Sequence, residues 1–256
     1  MIRAFEEKDY SAVIALWQEA FGDTEADIAA CMRHFAPYTM LYTETDKVLG
    51  MFILLPLQTG SKKGDYIYAV ATAKSARGRG IATQLLDYAK TRVKNGRSDF
   101  LTLVPAKASL FAFYKNRGFT NGSPVSRLNY STQGSAKASI AVKQITANEM
   151  YKNRNAYFKT LAAWDERMLA AIDEIYGGCF YTFEDKGFCT AYPMRDKVIV
   201  SELCLNDVAM EDALEALCAY FGKEKIEAVV PDANGNAFAM FYPAEAANMY
   251  FNIAIN

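Results

Sequence analysis

One histidine, His34, is all that 256 residues contain, and that scarcity weighs against every mechanism that needs an imidazole base or several imidazole ligands. His34 lies far in sequence from the motifs described below and reads as structural. Cysteine is the next shortage. Cys31, Cys179, Cys189, Cys204 and Cys218 are odd in number and form no Cys-x-x-Cys, so neither a disulfide framework nor a zinc site is expected, and the five read as reduced, mostly buried thiols. Long hydrophobic runs are missing too. The longest, Val48 to Leu57, is about half of the ~20 residues that a membrane span requires, and the opening MIRAFEEKDY has no apolar core of signal-peptide length. These absences predict a cytoplasmic protein with no membrane partner. An excess of either charge is also lacking: 28 basic residues face 29 acidic ones, for a net charge of -1. A general binder of nucleic acid needs a basic surplus to displace counterions, so that class is disfavoured.

What is there is a chain 52% apolar, 13% aromatic and 22% charged, too apolar to stay disordered and longer than the usual single domain. Two globular domains are expected. The even charge total hides an uneven distribution: residues 1 to 130 hold 17 Lys and Arg against 12 Asp and Glu, and residues 131 to 256 hold 11 against 17. Between residues 74 and 127 there are 11 basic and 2 acidic side chains, a surplus that suits a compact polyanion such as a nucleotide-derived cofactor.

Hydrophobic periodicity predicts a mixed α/β layout for the first half. MIRAF reads as a strand, and Val13, Leu16, Trp17, Ala20 and Phe21 form a helical series that a second helix, Thr24 to about Arg33, follows. Strands are expected at Tyr38 to Thr43, Lys47 to Leu57 and residues 66 to 73, then a helix from about Gly80 to Lys94, a strand Asp99 to Val104, a helix Ala108 to Asn116 and a strand after Gly118. The polar, aperiodic STQGSAKAS at 131 to 139 marks a linker between a domain of residues 1 to 130 and one of residues 140 to 256. The second domain echoes the first in element order: helices across Asn148 to Tyr176, strands near Cys179 to Phe183, Gly187 to Pro193 and Val198 to Leu205, a helix Met210 to Phe221, a strand Ile226 to Val230 and an apolar terminal strand Met249 to Asn256. A structural duplication is expected, with Cys204 to Ala209 standing where the first copy has a Gly-rich turn.

That turn is the informative stretch. Val70-Ala71-Thr72-Ala73-Lys74-Ser75-Ala76-Arg77-Gly78-Arg79-Gly80-Ile81-Ala82 carries a strand into a turn with two glycines and then into a helix, so backbone N–H groups converge at the positive end of a helix dipole. Such a turn binds phosphate. Gly78 and Gly80 remove side chains that would block close approach, and Arg77 and Arg79 add charge-assisted contacts. There is no Gly-Lys-Ser/Thr of a P-loop, and Thr83 replaces the third glycine of a dinucleotide fingerprint. Standing alone, the turn also reads as a tight connection with solvated arginines.

Arg77-Gly78-Arg79-Gly80-Ile81-Ala82, preceded by a strand and followed 37 residues downstream by Tyr114-Lys115-Asn116-Arg117-Gly118-Phe119, resembles the pyrophosphate loop and the Tyr-x-x-x-Gly-Phe signature of the GNAT superfamily of acetyl-CoA-dependent acyltransferases. The resemblance covers residues 1 to about 130, and Val70-Ala71-Thr72 looks most like the branch typified by the enhanced intracellular survival acetyltransferases. It implies a GNAT acyltransferase fold with a degenerate GNAT-like second domain in tandem. By resemblance, backbone groups of Val70, Ala71 and Thr72 pair with the pantetheine arm, amides of Arg77, Gly78, Arg79, Gly80, Ile81 and Ala82 hold the pyrophosphate, and Tyr114 protonates the departing thiolate. A phenol near its ordinary pKa of ~10 suits that role at neutral pH, although Tyr114 also reads as a packing tyrosine ahead of Gly118.

A general base is not evident: Tyr66 and Tyr68 occupy the face of YIYAVATA where many relatives carry a carboxylate, and Asp65 is out of phase with them. The candidates are a water chain, a carboxylate of the acidic second domain, or the α-carboxylate of Asn256, as the resembled branch uses its own C-terminus. The expected function is transfer of an acetyl group from acetyl-CoA, without a metal, to a primary amine on a small molecule or peptide by a monomer or homodimer. The alternative is a non-catalytic acyl-CoA-binding or sensing protein.

Overall fold

The computed structural model describes residues 1–132 and 140–253, and the chain divides into two compact units: residues 1–120 with 240–247, and residues 121–239 with 248–256. The division differs from the boundary expected at 131 to 139, most of which lies outside the described residues. The strand after Gly118 belongs to the second unit, and a segment close to the C-terminus belongs to the first.

In the first unit β1 (Ile2–Ala4), α1 (Tyr10–Phe21), α2 (Glu25–Phe35), β2 (Thr39–Glu44), β3 (Lys47–Thr59), β4 (Lys62–Thr72), α3 (Ile81–Lys94), β5 (Phe100–Leu103) and α4 (Ala108–Lys115) follow one another. The strands lie in the order β1-β2-β3-β4-β5, and the outer edge of β5 is covered by Met240–Tyr242, antiparallel, with Phe241 opposite Thr102. The helical series of α1 buries Val13, Leu16 and Trp17, whereas Phe21 is 45% exposed and only touches Trp17 edge-on. Thr24 caps α2 by accepting from Asp27 N–H at 3.2 Å. On the other face of the sheet Ile81, Leu85, Leu86 and Ala89 of α3 pack with Phe52, Leu54, Ile67, Leu101 and Tyr114. Close packing there depends on Gly50: a Cβ at that position would stand 2.6 Å from Ile81 Cγ2.

The second unit contains β6 (Thr120–Ser131), β7 (Lys143–Gln144), α5 (Ala147–Tyr157), α6 (Glu166–Ile175), β8 (Phe180–Thr182), β9 (Gly187–Pro193), β10 (Val198–Leu205), α7 (Met210–Phe221), β11 (Lys225–Pro231) and the first part of β12 (Asn236–Tyr242). Its strand order is β6-β11-β10-β9-β8-β7. The succession β8, β9, β10, α7, β11 repeats that of β2, β3, β4, α3, β5. The expected terminal strand at Met249 to Asn256 is not formed among the described residues. Instead, Tyr250 makes an isolated bridge with Leu161, and Phe251, Asn252 and Ile253 are buried. Side chains rather than a ladder tie this segment down: Ser123 Oγ accepts from Phe251 N–H at 2.7 Å, and Asn252 Nδ2 donates to Ser201 O at 2.8 Å.

Candidate active site

The geometry begins with an irregularity in β4. Its register with β3 skips between Met51 opposite Ala71 and Ile53 opposite Tyr68, so Ala69 and Val70 together face Phe52, and Ala69 has φ +49°. A non-glycine residue in that region costs on the order of 1 kcal/mol, and such a bulge bends and re-aims the strand. On its other edge β4 is parallel to β5 for only three residue pairs, ending at Tyr66 opposite Thr102. Past Tyr66 the edge that carries Val70, Ala71 and Thr72 has left its neighbour. Apart from Thr72 O, which accepts from Arg77 Nε, the backbone there has no strand partner on that edge, and the Thr72 hydroxyl is buried without a hydrogen-bond partner.

From Thr72 the chain passes through a short 3-10 turn, Lys74–Ala76, into the two glycines. Gly78 (φ +80°) and Gly80 (φ +76°) are left-handed, and a Cβ on either would enter open space. Glycine is therefore required for backbone conformation, and the empty volume beside it stays free for a ligand. The first backbone bond of α3 runs from Gln84 N–H to Gly80 O at 3.0 Å. Among the described residues no acceptor takes the N–H groups of Gly78, Arg79, Gly80, Ile81, Ala82 or Thr83. The first turn of α3 carries no acidic side chain, so the dipole end is uncompensated, which is the arrangement that attracts phosphate. The loop is held from behind by Glu19, whose carboxylate accepts from Lys74 N–H at 3.2 Å.

The two loop arginines do not reach into the open volume. Arg77 Nε donates back to Thr72 O at 3.3 Å. Arg79 donates through Nη2 to both oxygens of Glu44 at 2.7 Å, and this pairing together with the hydroxyl of Tyr42 holds the Glu44 carboxyl below its usual range. Arg92, from the same basic stretch, is bound to the buried Asp65 at 2.9 and 3.2 Å. The basic surplus expected from the sequence is thus partly spent inside the unit, and Asp65 is occupied.

Tyr114 sits at the end of α4, 8% exposed, edge-on to Phe113 and Phe119. Gly118, at φ +85°, lets the chain leave the helix, with Arg117 and Phe119 N–H both donating to Tyr114 O. Burial pushes the phenol up to about 12, the nearby charge of Arg117 opposing that rise. The hydroxyl therefore stays protonated through the neutral range, and it has no partner among the described residues. Tyr114 belongs to the same apolar cluster as Ile81 of the loop and Ile67 of β4, so loop, splayed strand and phenol share one core.

The sequence reading missed the links between these parts. Thr83, noted there only as a missing glycine, receives the Arg117 guanidinium; Glu44 receives Arg79; the bulge at Ala69 has no sequence signal, because alanine rarely adopts that conformation. Asn256 lies outside the described residues. Among the described residues no group of His, Cys, Asp and Glu has metal-site geometry, and no helix is long and apolar enough to cross a membrane.

With this geometry in hand, comparison with known proteins agrees on one fold. Residues 1–122 match the family model described as an acetyltransferase (GNAT) domain. Among solved structures, the GCN5-related N-acetyltransferase from Kribbella flavida superposes with a TM-score of 0.70 at 18% identity, covering 97% of this chain and 73% of that one. The GCN5-related N-acetyltransferase from Anabaena variabilis gives 0.66 at 14% identity, covering 94% and 72%, and Eis1 from Mycobacterium abscessus gives 0.60 at 11% identity, covering 96% and 75%. No match was found among curated proteins. The chain therefore has the mixed α/β fold of GNAT proteins, and the match over residues 1–122 supports acyl transfer as its general chemistry.

Proposed function

We propose that the protein is an acetyl-CoA-dependent N-acyltransferase whose cofactor site is built by the first unit. The observation that carries this reading is the set of unpaired amides from Gly78 to Ala82 at the uncompensated end of α3, beside a β4 edge that β5 has released. The amides of Gly78 to Ala82 would bind the pyrophosphate, the Arg77 N–H expected to join them being turned instead to Lys74 O at 3.4 Å, and the backbone of Val70, Ala71 and Thr72 would align the pantetheine arm. Tyr114, protonated and without a partner, would donate its proton to the thiolate as the amine displaces it. Transfer is direct: the amine nitrogen bonds to the thioester carbonyl carbon and loses a proton to water, the C–S bond breaks, the sulfur takes the proton of Tyr114, and the phenolate regains one from water. The acceptor is a primary amine of a small molecule or peptide. The second unit is a degenerate GNAT-like copy, and its acidic composition suits a cationic acceptor. The nearest branch by loop sequence is the survival type, and the compartment is the cytoplasm.

A second reading is favoured by a specific observation. Asp65, the carboxylate on β4, is buried and bound by Arg92, so β4 offers no free base, and a protein that binds acyl-CoA without turning it over would need none. Titration with CoA followed by a panel of primary amines with acetyl-CoA, read as thiol release, separates the two. Thiol release with at least one amine is expected. Binding without release across the panel would establish the sensor, and no binding at all would remove both readings.

A further inference from the structure

We propose that Arg117 is a positioning residue that sets the distance between the amide cradle and the Tyr114 hydroxyl; this rests on the function proposed above. Its guanidinium is shared between the two elements that carry those groups. Nε and Nη2 donate to Thr83 Oγ1 at 3.0 and 2.8 Å, and Thr83 is in the first turn of α3, whose amides face the open volume. Nη1 donates to Phe113 O at 2.8 Å, and the guanidinium carbon lies 3.6 Å from the centroid of the Phe113 ring, the residue immediately before Tyr114. The main chain at the same place is fixed as well: Arg117 O accepts from Lys90 Nζ of α3 at 3.3 Å.

Two parts of one acyl-CoA molecule have a fixed separation, the pyrophosphate at one end of the pantetheine arm and the sulfur at the other. An enzyme that grips both needs its phosphate donors and its proton donor held at the matching separation. Helix α4 is short, residues 108–115, and its apolar contacts allow sliding, since hydrophobic burial is non-directional. A planar fork with two bonds to one oxygen and one to a carbonyl is directional. Arg117 supplies the directional part of the α3–α4 contact, so its loss should move Tyr114 relative to a bound ligand while leaving the amides in place.

The test is a double-mutant cycle with a conservative rescue. Arg117→Met keeps the stem and removes the fork; Thr83→Val removes the acceptor oxygen; Thr83→Ser retains it. CoA affinity is measured by calorimetry, kcat by thiol release from acetyl-CoA with the amine of the panel that reacts fastest, and folding by thermal unfolding. Arg117→Met and Thr83→Val are each expected to lower kcat roughly 10-fold or more, the scale of a misplacement near 1 Å or less, with CoA affinity held within ~3-fold and no additional loss in the double variant. Thr83→Ser should keep near-native kcat. Independent, additive losses, an unchanged kcat, or losses that follow CoA affinity or melting temperature in proportion overturn the inference. If the unsubstituted protein binds CoA but releases no thiol, there is no proton transfer to position and the inference falls with the catalytic reading. If it does not bind CoA, the cofactor assignment itself has failed, and the two failures are thereby told apart.

Discussion

The two units carry the same succession of strands and helix, and they differ in the turn that follows the central strand. In the first, β4 parts from β5 after three pairs; in the second, β10 parts from β11 after three pairs, Val198–Val200 opposite Ile226–Ala228. Both central strands are irregular against their antiparallel neighbour, with a skip at Met51/Ile53 in one and at Val200/Glu202 in the other. Beyond that point they diverge. The first continues into two left-handed glycines and a helix with no acid in its first turn; the second continues through Asn206 to Ala209 into α7, whose first turn carries Glu211 and Asp212. Those carboxylates compensate the helix dipole and would repel a phosphate. The second unit also binds its own residues beside the parted strand, Asn252 reaching Ser201 of β10 and Phe251 reaching Ser123 of β6. On the proposed reading, a splayed strand alone does not make a cofactor site. The turn after it is where the two units differ.

The contrast is broken most severely by Gly80→Val. Glycine at φ +76° becomes a β-branched residue in a region such residues avoid, and its side chain enters the volume in front of the amides. CoA affinity should fall by ~10³-fold or beyond detection, because backbone donors and shape are lost together. A change at the corresponding turn of the second unit, Val208→Gly, should leave CoA affinity unaltered. Calorimetric titration of both variants decides it, and a Gly80→Val protein that binds normally removes the cradle from the site.

The second unit has its own buried ion pair. Arg154 on α5 and Glu202 on β10 are both buried and joined by bonds of 2.8 and 3.1 Å, with Arg154 Nη2 also near Asn252 O at 3.4 Å. Arg154→Met leaves the buried Glu202 carboxyl without its partner and should cost about 3–5 kcal/mol, seen as a lowered denaturation midpoint. Adding Glu202→Leu should recover much of that loss. If Arg154→Met unfolds at the native midpoint, the pair does not stabilise the second unit.

Tyr114→Phe comes next in size. Removing a positioned proton donor lowers kcat by roughly 10²-fold while CoA affinity is retained, since the ring stays in its apolar cluster. An unchanged kcat would return Tyr114 to a packing role. The same phenol illustrates how much of the molecule is readable without coordinates. Every expected element of the first unit exists, because the continuous apolar run of β3, the alternation in the second half of β4 and the 3.6 period of Ile81, Leu85, Leu86 and Ala89 are local signals. The glycine turn is readable for the same reason, as left-handed conformations select glycine locally. What is not readable is long-range. Met240–Tyr242 returns to pair with β5 across more than half of the sequence, and only the turn at Asp232–Gly235, with Gly235 N–H donating to Asp232 O at 2.9 Å, hints that a strand follows. The terminal segment misleads in the other direction: Phe251 and Ile253 are apolar because they are buried, but they are held by the side chains of Ser123 and Asn252 instead of a strand partner. Arg79, Arg92 and Arg117 look alike in sequence as basic residues near a loop, and only coordinates show that Glu44, Asp65 and Thr83 have claimed them.

That claim sets the smallest expected effect. Arg79→Ala should weaken CoA binding less than ~3-fold, since the guanidinium is exposed and faces Glu44 with both bonds at 2.7 Å. For Arg79 to reach a phosphate it must give up Glu44, so any gain from the new contact is offset by the lost one. Glu44→Gln removes that competition by leaving a neutral partner, and it should tighten CoA binding slightly, an increment that Arg79→Ala in the same background abolishes. Because the charges are in water, the increment should shrink between 50 mM and 500 mM salt, on the order of the screening length there. A large loss of affinity in Arg79→Ala alone, insensitive to salt, would mean that the side chain leaves Glu44 and contacts the ligand directly, and the backbone would then carry less of the phosphate than its free amides imply.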